Sequence, residues 1–166
     1  MATIRPAMPD DLPHIIALDQ EIFGSYGADE SPEVIRARLD VFPEGCVVLE
    51  DISTSDEVES SLIGYLTTEK WLEARDPVLD EDPYFTHNPD GQVLCVTTLA
   101  IAPAFQNQKL GPLLVKQAAT IARRERCDQI VLETAHAQKF YLRQGFEAIG
   151  ERQERGIKLY IMRLDV

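Results

Sequence analysis

Cysteine and histidine are scarce in this chain of 166 residues, which has three of each and neither a Cys-x-x-Cys nor a His-x-x-x-His spacing. That leaves little material for a metal centre, and none is expected. Cys46, Cys95 and Cys127 would leave one thiol over under any pairing, so they read as reduced core residues. Basic residues are also outnumbered, 16 against 28 acidic ones, for a formal charge of −12. A phosphate backbone would meet net repulsion over most of such a surface, so nucleic acid is not an expected partner. A cationic amine would be drawn toward it, although the same excess also serves solubility alone. Apolar runs fall short of the ~20 residues a membrane helix needs, and Met1 to Pro6 carry no signal-peptide core. The expectation is a cytoplasmic protein with no membrane partner. Neither Gly-x-x-x-x-Gly-Lys-Ser/Thr nor Gly-x-Gly-x-x-Gly follows a strand, which counts against nucleotide hydrolysis and nicotinamide binding.

What is present suits one α/β domain over residues 1–166: 45% hydrophobic and 27% charged residues, enough for a single core. Thr3 to Arg5 is β-compatible, and the spacing of Leu12, Ile15, Ile16, Leu18 and Ile22 predicts a helix over about 10–23. Ser31-Pro32-Glu33 opens a second helix that ends near Val41. Residues 46–50 and 61–68 read as an antiparallel hairpin around a polar turn at 51–60, and 92–102 as the central strand. Between them, residues 69–91 form a long loop with Trp71, Tyr84, Phe85 and the acidic run Asp80-Glu81-Asp82. A loop of that length is usually functional, here as aromatic walls and a cation-attracting mouth, or else structural with solvated charges. Tyr26 is a further candidate wall. A helix runs to about Arg126, a short strand covers 130–133, a helix spans 135–143, and two strands close the chain.

The unit that carries chemistry is the central strand, a loop of few bulky side chains from Pro103 to Gly111, and a helix read as starting at Pro112. A helix start leaves backbone N–H groups free to hold a diphosphate, and Pro112 has none to lose there. A plain turn into an amphipathic helix has the same pattern.

The stretch Gln106-Asn107-Gln108-Lys109-Leu110-Gly111 resembles the acyl-CoA loop of the GNAT N-acetyltransferase superfamily, Arg/Gln-x-x-Gly-x-Gly/Ala. Leu99-Ala100-Ile101-Ala102-Pro103 before it and Leu113-Leu114 after it are similar to that family too. Lys109 stands where the family motif has its first glycine. About thirty residues on, Ala137-Gln138-Lys139-Phe140-Tyr141-Leu142-Arg143-Gln144-Gly145-Phe146 is similar to the superfamily's Ala-x-x-Phe/Leu-Tyr-x-x-x-Gly-Phe. More loosely, His87-Asn88-Pro89-Asp90-Gly91, Pro43-Glu44 and Tyr65 look like the arylalkylamine (serotonin) N-acetyltransferase branch. That branch carries two histidines on the central strand where this chain has Cys95 and Thr97.

The resemblance implies a mixed, mostly antiparallel sheet flanked by helices and splayed between the central strand and the strand after Cys127. It implies acetyl-CoA as co-substrate, held by Leu99, Ala100, Ile101, Gln106, Asn107, Gln108, Lys109, Leu110, Gly111, Pro112, Thr134 and Tyr141. The implied reaction is direct attack by an amine in a ternary complex, with an oxyanion held by backbone N–H near Leu99 to Ile101. Tyr141 would protonate the leaving thiolate. For the base, the strand-end carboxylates Glu69 and Glu133 and the nearby His136 are candidates, while His14 and His87 read as helix-surface and turn residues. The acceptor is expected to be a small primary amine of the arylalkylamine kind. A protein N-terminus or lysine, or an acyl-CoA sensor without turnover, are the rival readings, and a homodimer stays open.

Overall fold

The computed structural model describes residues 2–52 and 61–166. Seven strands among these residues form one sheet in the order β1-β2-β3-β4-β5-β7-β6. They are β1 (Ala2–Pro6), β2 (Val47–Asp51), β3 (Ser61–Trp71), β4 (Val93–Ile101), β5 (Gln129–Thr134), β6 (Glu147–Glu154) and β7 (Ile157–Asp165). The helices are α1 (Leu12–Phe23), α2 (Pro32–Val41), the short α3 (Pro83–Thr86), α4 (Leu110–Arg124) and α5 (Gln138–Arg143). Every neighbouring pair of strands is antiparallel except β4 and β5. The mixed, mostly antiparallel sheet flanked by helices is therefore as expected. Most of the polar turn read at 51–60 lies outside the described residues.

Two cores clamp the sheet. One face packs Ile15 and Leu18 of α1 and Ile35 of α2 against Val48, Tyr65 and Ala100. The other packs the apolar stripe of α4, Leu114, Ala118, Ile121 and Ala122, against Leu66, Leu94, Ile130 and Leu132. Burying one fully enclosed Leu or Ile contributes about 1.5–3 kcal/mol, so these stripes outweigh any single surface contact. All three cysteines are buried and free, as read, and burial pushes the thiol of Cys46 up to about 12.

β4 pairs with β5 only at Val93–Gln129, Leu94–Ile130 and Cys95–Val131, and beyond that point the strands part. β5 continues along β7, while β4 continues along β3 to Ile101. At the parting point the β3–β4 register jumps from Thr67↔Thr98 to Thr68↔Val96, which makes Thr97 the extra residue of a bulge. A bulge adds local twist, and here it turns the end of β4 away from β5.

Three boundaries differ from the sequence reading. The loop expected from residue 69 begins after Trp71, because Thr68 to Trp71 keep pairing with β4 past the bulge. α4 starts at Leu110, so Pro112 is its third residue and still gives up no needed donor, as first-turn N–H groups have no intrahelical acceptor. Residues 135–137 form a turn, with Ala137 N bonded to Thr134 Oγ1 at 2.9 Å, and α5 begins only at Gln138.

Gly64 permits the close approach of β3 to the free end of β4: a Cβ there would sit 2.7 Å from the Ala100 carbonyl oxygen and 3.0 Å from Ile101 Cδ1. Gly64→Ala is expected to destabilise the fold by about 1–3 kcal/mol through overpacking. The thermal midpoint should fall by roughly 2–12 °C, and an unchanged midpoint would show that β4 is not held this tightly.

Candidate active site

The parted strands open a cavity of about 920 Å³. One wall is β4 from Cys95 to Ile101, and the other is Leu132 to Ala137 at the end of β5. Beyond Cys95 the edge of β4 facing β5 has no strand partner, so its peptide groups border the cavity. Leu99, Ala100 and Ile101 lie in that wall.

The mouth on the α4 side is built for an anion. No side chain caps the helix, and its first turn contains no acidic residue. Lys109, the residue before it, takes a left-handed conformation at φ 63°, as does Asn107 at φ 65°. A side chain in that region costs roughly 1–2 kcal/mol, which the motif's usual glycine avoids. Among the described residues, the backbone N–H of Lys109 meets no acceptor, and the first-turn N–H groups of α4 have no intrahelical one. Gly111 is pressed against the Phe140 ring, 3.0 Å from where its Cβ would be, so the loop backs directly onto α5. Lys109, Lys139 and Arg143 bring positive charge to this end of the cavity in a chain of net charge −12. Free amides, a helix N-terminus and three cations fit the diphosphate of a coenzyme A thioester. Gln106, Asn107, Leu110, Pro112 and Thr134 also line the cavity; Gln108 does not, its side-chain amide turning back to the Ala104 carbonyl.

Tyr141 reaches the cavity from α5 with its ring packed edge-on between Phe140 and Phe146. Its hydroxyl makes no hydrogen bond among the described residues, and burial pushes its pKa far above that of an ordinary phenol. At neutral pH it is a proton donor with no partner among the described residues.

The opposite end of the cavity is acidic and aromatic. Asp19 and Glu30 from the α1–α2 segment, Glu69 from β3, Glu81 from the 72–92 segment and Glu133 from β5 all line it, beside Phe23, Tyr26 and Trp71. Three of these carboxylates are paired with arginine: Glu30 with Arg38 at 2.9 Å, Glu133 with Arg152 through two bonds of 2.7 Å, and Glu81 with Arg75. Among the described residues, Asp19 and Glu69 bond only to uncharged donors. Asp19 accepts from the Tyr65 hydroxyl at 2.7 Å and from Glu30 N at 2.9 Å. Glu69, only 4% exposed, accepts from Trp71 Nε1 at 2.7 Å and from the Thr86 hydroxyl at 2.9 Å. Burial raises the pKa of both, against the pull of those hydrogen bonds.

The structure sorts the remaining candidates. His136 lines the cavity and meets Tyr26 edge-on at 4.6 Å across its mouth. His14 is exposed on α1. His87 accepts a hydrogen bond from Lys70 N at 3.1 Å and stacks on Phe42, a structural post whose pKa burial lowers. Trp71 and Tyr26 are cavity walls as expected, but Tyr84 and Phe85 are not. They ride outside on α3, Phe85 being 88% exposed, because Asp82 caps that short helix and turns its outer face to solvent.

The sequence reading missed Asp19, Glu30 and Arg38, though a signal existed. Asp19 interrupts the stripe Ile15, Leu18, Ile22, and Arg38 extends the buried stripe Val34, Ile35, Ala37 of α2. A charge on the apolar side of a helix must find a partner inside.

The fold has close counterparts among solved structures. The loading GNATL domain of CurA from Lyngbya majuscula superposes with a TM-score of 0.82 at 17% identity, covering 99% of this chain and 98% of that one. The GphF GNAT-like decarboxylase in complex with isobutyryl-CoA gives 0.76 at 18% identity, with 98% of each chain covered. Ard1 from Thermoplasma volcanium gives 0.74 at 17% identity, covering 99% and 97%. At these identities the likeness is one of fold and does not single out the arylalkylamine branch. No curated protein matches the sequence. The profile of the Acetyltransferase (GNAT) family matches residues 9–146, and the chain, with its parted strands and uncapped helix start, belongs to that family.

Proposed function

We propose that this acetyltransferase moves the acetyl group of acetyl-CoA to the nitrogen of a small primary amine, of the arylalkylamine kind, by direct attack in a ternary complex. The observation that carries the small-acceptor reading is a strap across the acidic end of the cavity. Pro77, Val78, Leu79 and Glu81 roof that end. The strap is pinned at both sides: Asp80 N bonds Glu30 at 2.7 Å, Asp80 accepts from Ser31 N at 2.7 Å, and Leu79 N bonds Glu154 at 3.0 Å. Arg155, at the β6–β7 turn, ties it to the α1–α2 segment by donating to the Gly27 and Asp29 carbonyls and to Asp80. An extended peptide needs an open groove, and this roof leaves a compartment with aromatic walls and carboxylates that suits an amine with an apolar body.

The mechanism follows from the chain's own groups. An alkylamine with a pKa near ~10.4 is neutral in less than roughly one part in a thousand at pH 7, so a group must take its proton. Glu69 suits this better than Glu133. Protonating Glu133 would sacrifice its two bonds to the Arg152 guanidinium, whereas Glu69 faces only neutral donors and burial already favours its acid form. The free edge of β4 near Leu99 to Ile101 offers fixed amide donors to the carbonyl oxygen as it gains charge. Tyr141 then gives its proton to the departing sulfur, and the second proton that the nitrogen sheds as the amide forms restores the phenol through water. The acetyl-CoA thioester supplies the activated acyl carbon, and the free N–H groups at the α4 start hold its diphosphate.

Release of free thiol across an amine panel tests the reading. Turnover with tryptamine or a polyamine supports it, turnover with peptides alone replaces it with a protein acceptor, and coenzyme A binding without turnover replaces it with a sensor. Tyr141→Phe should lower kcat by about 10²-fold while leaving the thermal midpoint nearly unchanged, and a wild-type rate would remove Tyr141 from the chemistry. Arg155→Ala should loosen the strap, raising KM for the amine about tenfold, equivalent to ~1.4 kcal/mol, with kcat within about threefold of wild type. An unchanged KM would show that the roof does not confine the acceptor.

A further inference from the structure

Glu69 has an unusual pair of partners. Trp71 Nε1 donates to Oε1 at 2.7 Å, and the Thr86 hydroxyl donates to Oε2 at 2.9 Å. The indole is a donor only, so it can serve the carboxylate but cannot accept from the carboxylic acid. It is fixed in that role, since Arg75 stacks on its ring at 4.0 Å. Thr86 differs, because its hydroxyl has one proton and two lone pairs, and a second acceptor, the Asp82 carbonyl, lies 3.3 Å away. When Glu69 is charged, the hydroxyl points at Oε2. When Glu69 carries a proton, the hydroxyl can turn to Asp82 O and accept the new O–H.

We infer that Thr86 is a positioning residue whose hydroxyl reverses direction to keep the Glu69 carboxyl seated in both of its protonation states. The inference rests on the reading of Glu69 as proton acceptor and extends it to α3, which does not itself touch the acceptor. The proton step balances simply: the N–H bond of the ammonium breaks and leaves its electron pair on nitrogen, an O–H bond forms on Glu69, and the proton later passes to water. Without a reversible partner, one carboxyl oxygen would lose its hydrogen bond in one state or the other, at a cost that a buried group feels strongly.

The other charged and titratable groups around Glu69 do not take over this role. Arg38 of α2 acts on it through space and is committed to Glu30 and to the Thr98 hydroxyl. Glu81 in the strap repels it but is paired with Arg75, which also senses the Glu69 charge. Cys95 on β4 is a buried thiol held protonated. Thr86 is therefore the contact through which Glu69 can be retuned without moving a charge.

The test compares wild type, Thr86→Val and Thr86→Ser. The Glu69 carboxyl is titrated in the free protein by NMR with carbon-labelled glutamate and assigned with Glu69→Gln, and the acid limb of the kcat/KM profile is measured for the best amine. Valine removes a donor to the charged form and an acceptor from the acid form. The bond to the charged form is the stronger, so the Glu69 titration and the acid limb should both move to higher pH by a net shift of less than about one unit, while serine should restore both. A Glu69 titration that Thr86→Val leaves unmoved overturns the inference. A titration that moves while the acid limb stays in place overturns Glu69 as the proton acceptor, and the catalytic meaning of Thr86 with it.

Discussion

The parting of β4 from β5 after Cys95 and Val131 is the constraint on which the rest depends. Strand edges inside a sheet do not normally go unpaired, because each unmet peptide group forfeits a hydrogen bond that water would have supplied. Here the unpaired edge faces a cavity, where a bound acyl group can take the place of the missing strand. The bulge at Thr97 turns β4 outward, Gly64 lets β3 follow it closely, and the Tyr65 and Leu66 cores hold both strands rigid behind the opening. Donors placed on so stiff a support need no rearrangement when charge develops on an oxygen.

Charge is segregated along the cavity. Lysine and arginine gather at the α4 and α5 end, and carboxylates gather under the strap, although the whole chain is acidic. Each end thus matches one reactant of an acetyl transfer, an anionic coenzyme and a cationic amine. The arginines at the acidic end serve structure. Arg38, Arg152 and Arg155 each neutralise a carboxylate that in turn accepts a backbone N–H, Glu30 from Asp80, Glu154 from Leu79 and Asp80 from Ser31. Arg75 pairs with Glu81, leaving Asp19 and Glu69 without a paired cation among the described residues. A buried carboxylate with neutral partners sits nearer to accepting a proton than one clamped by guanidinium.

Lys109 shows how an apparent mismatch resolves. The position that the family motif gives to glycine does require a left-handed backbone, and lysine occupies it at φ 63°. The strain of roughly 1–2 kcal/mol is modest, and the side chain adds a cation at the α4 end of the cavity. At Gly111 the chain has the small residue of the motif, and Phe140 fills the space a side chain there would need.

The sequence by itself determined the alternation of strands and helices and the central strand, because each is written in a contiguous run whose period is local, while the loop before α4 and the Tyr141 segment stood out through their resemblance to two GNAT motifs. It also named Glu69 and Glu133, as carboxylates at strand ends. It could not rank them, since what separates the two is Arg152 on one side and Trp71 with Thr86 on the other, contacts made across the fold. The strap pinned by Arg155, the buried Asp19–Tyr65 pair and the place of Tyr84 and Phe85 outside the cavity were likewise decided only in three dimensions. Burial and ion pairing depend on which distant segments the packing brings within a few ångströms, and no local pattern in the chain encodes that distance.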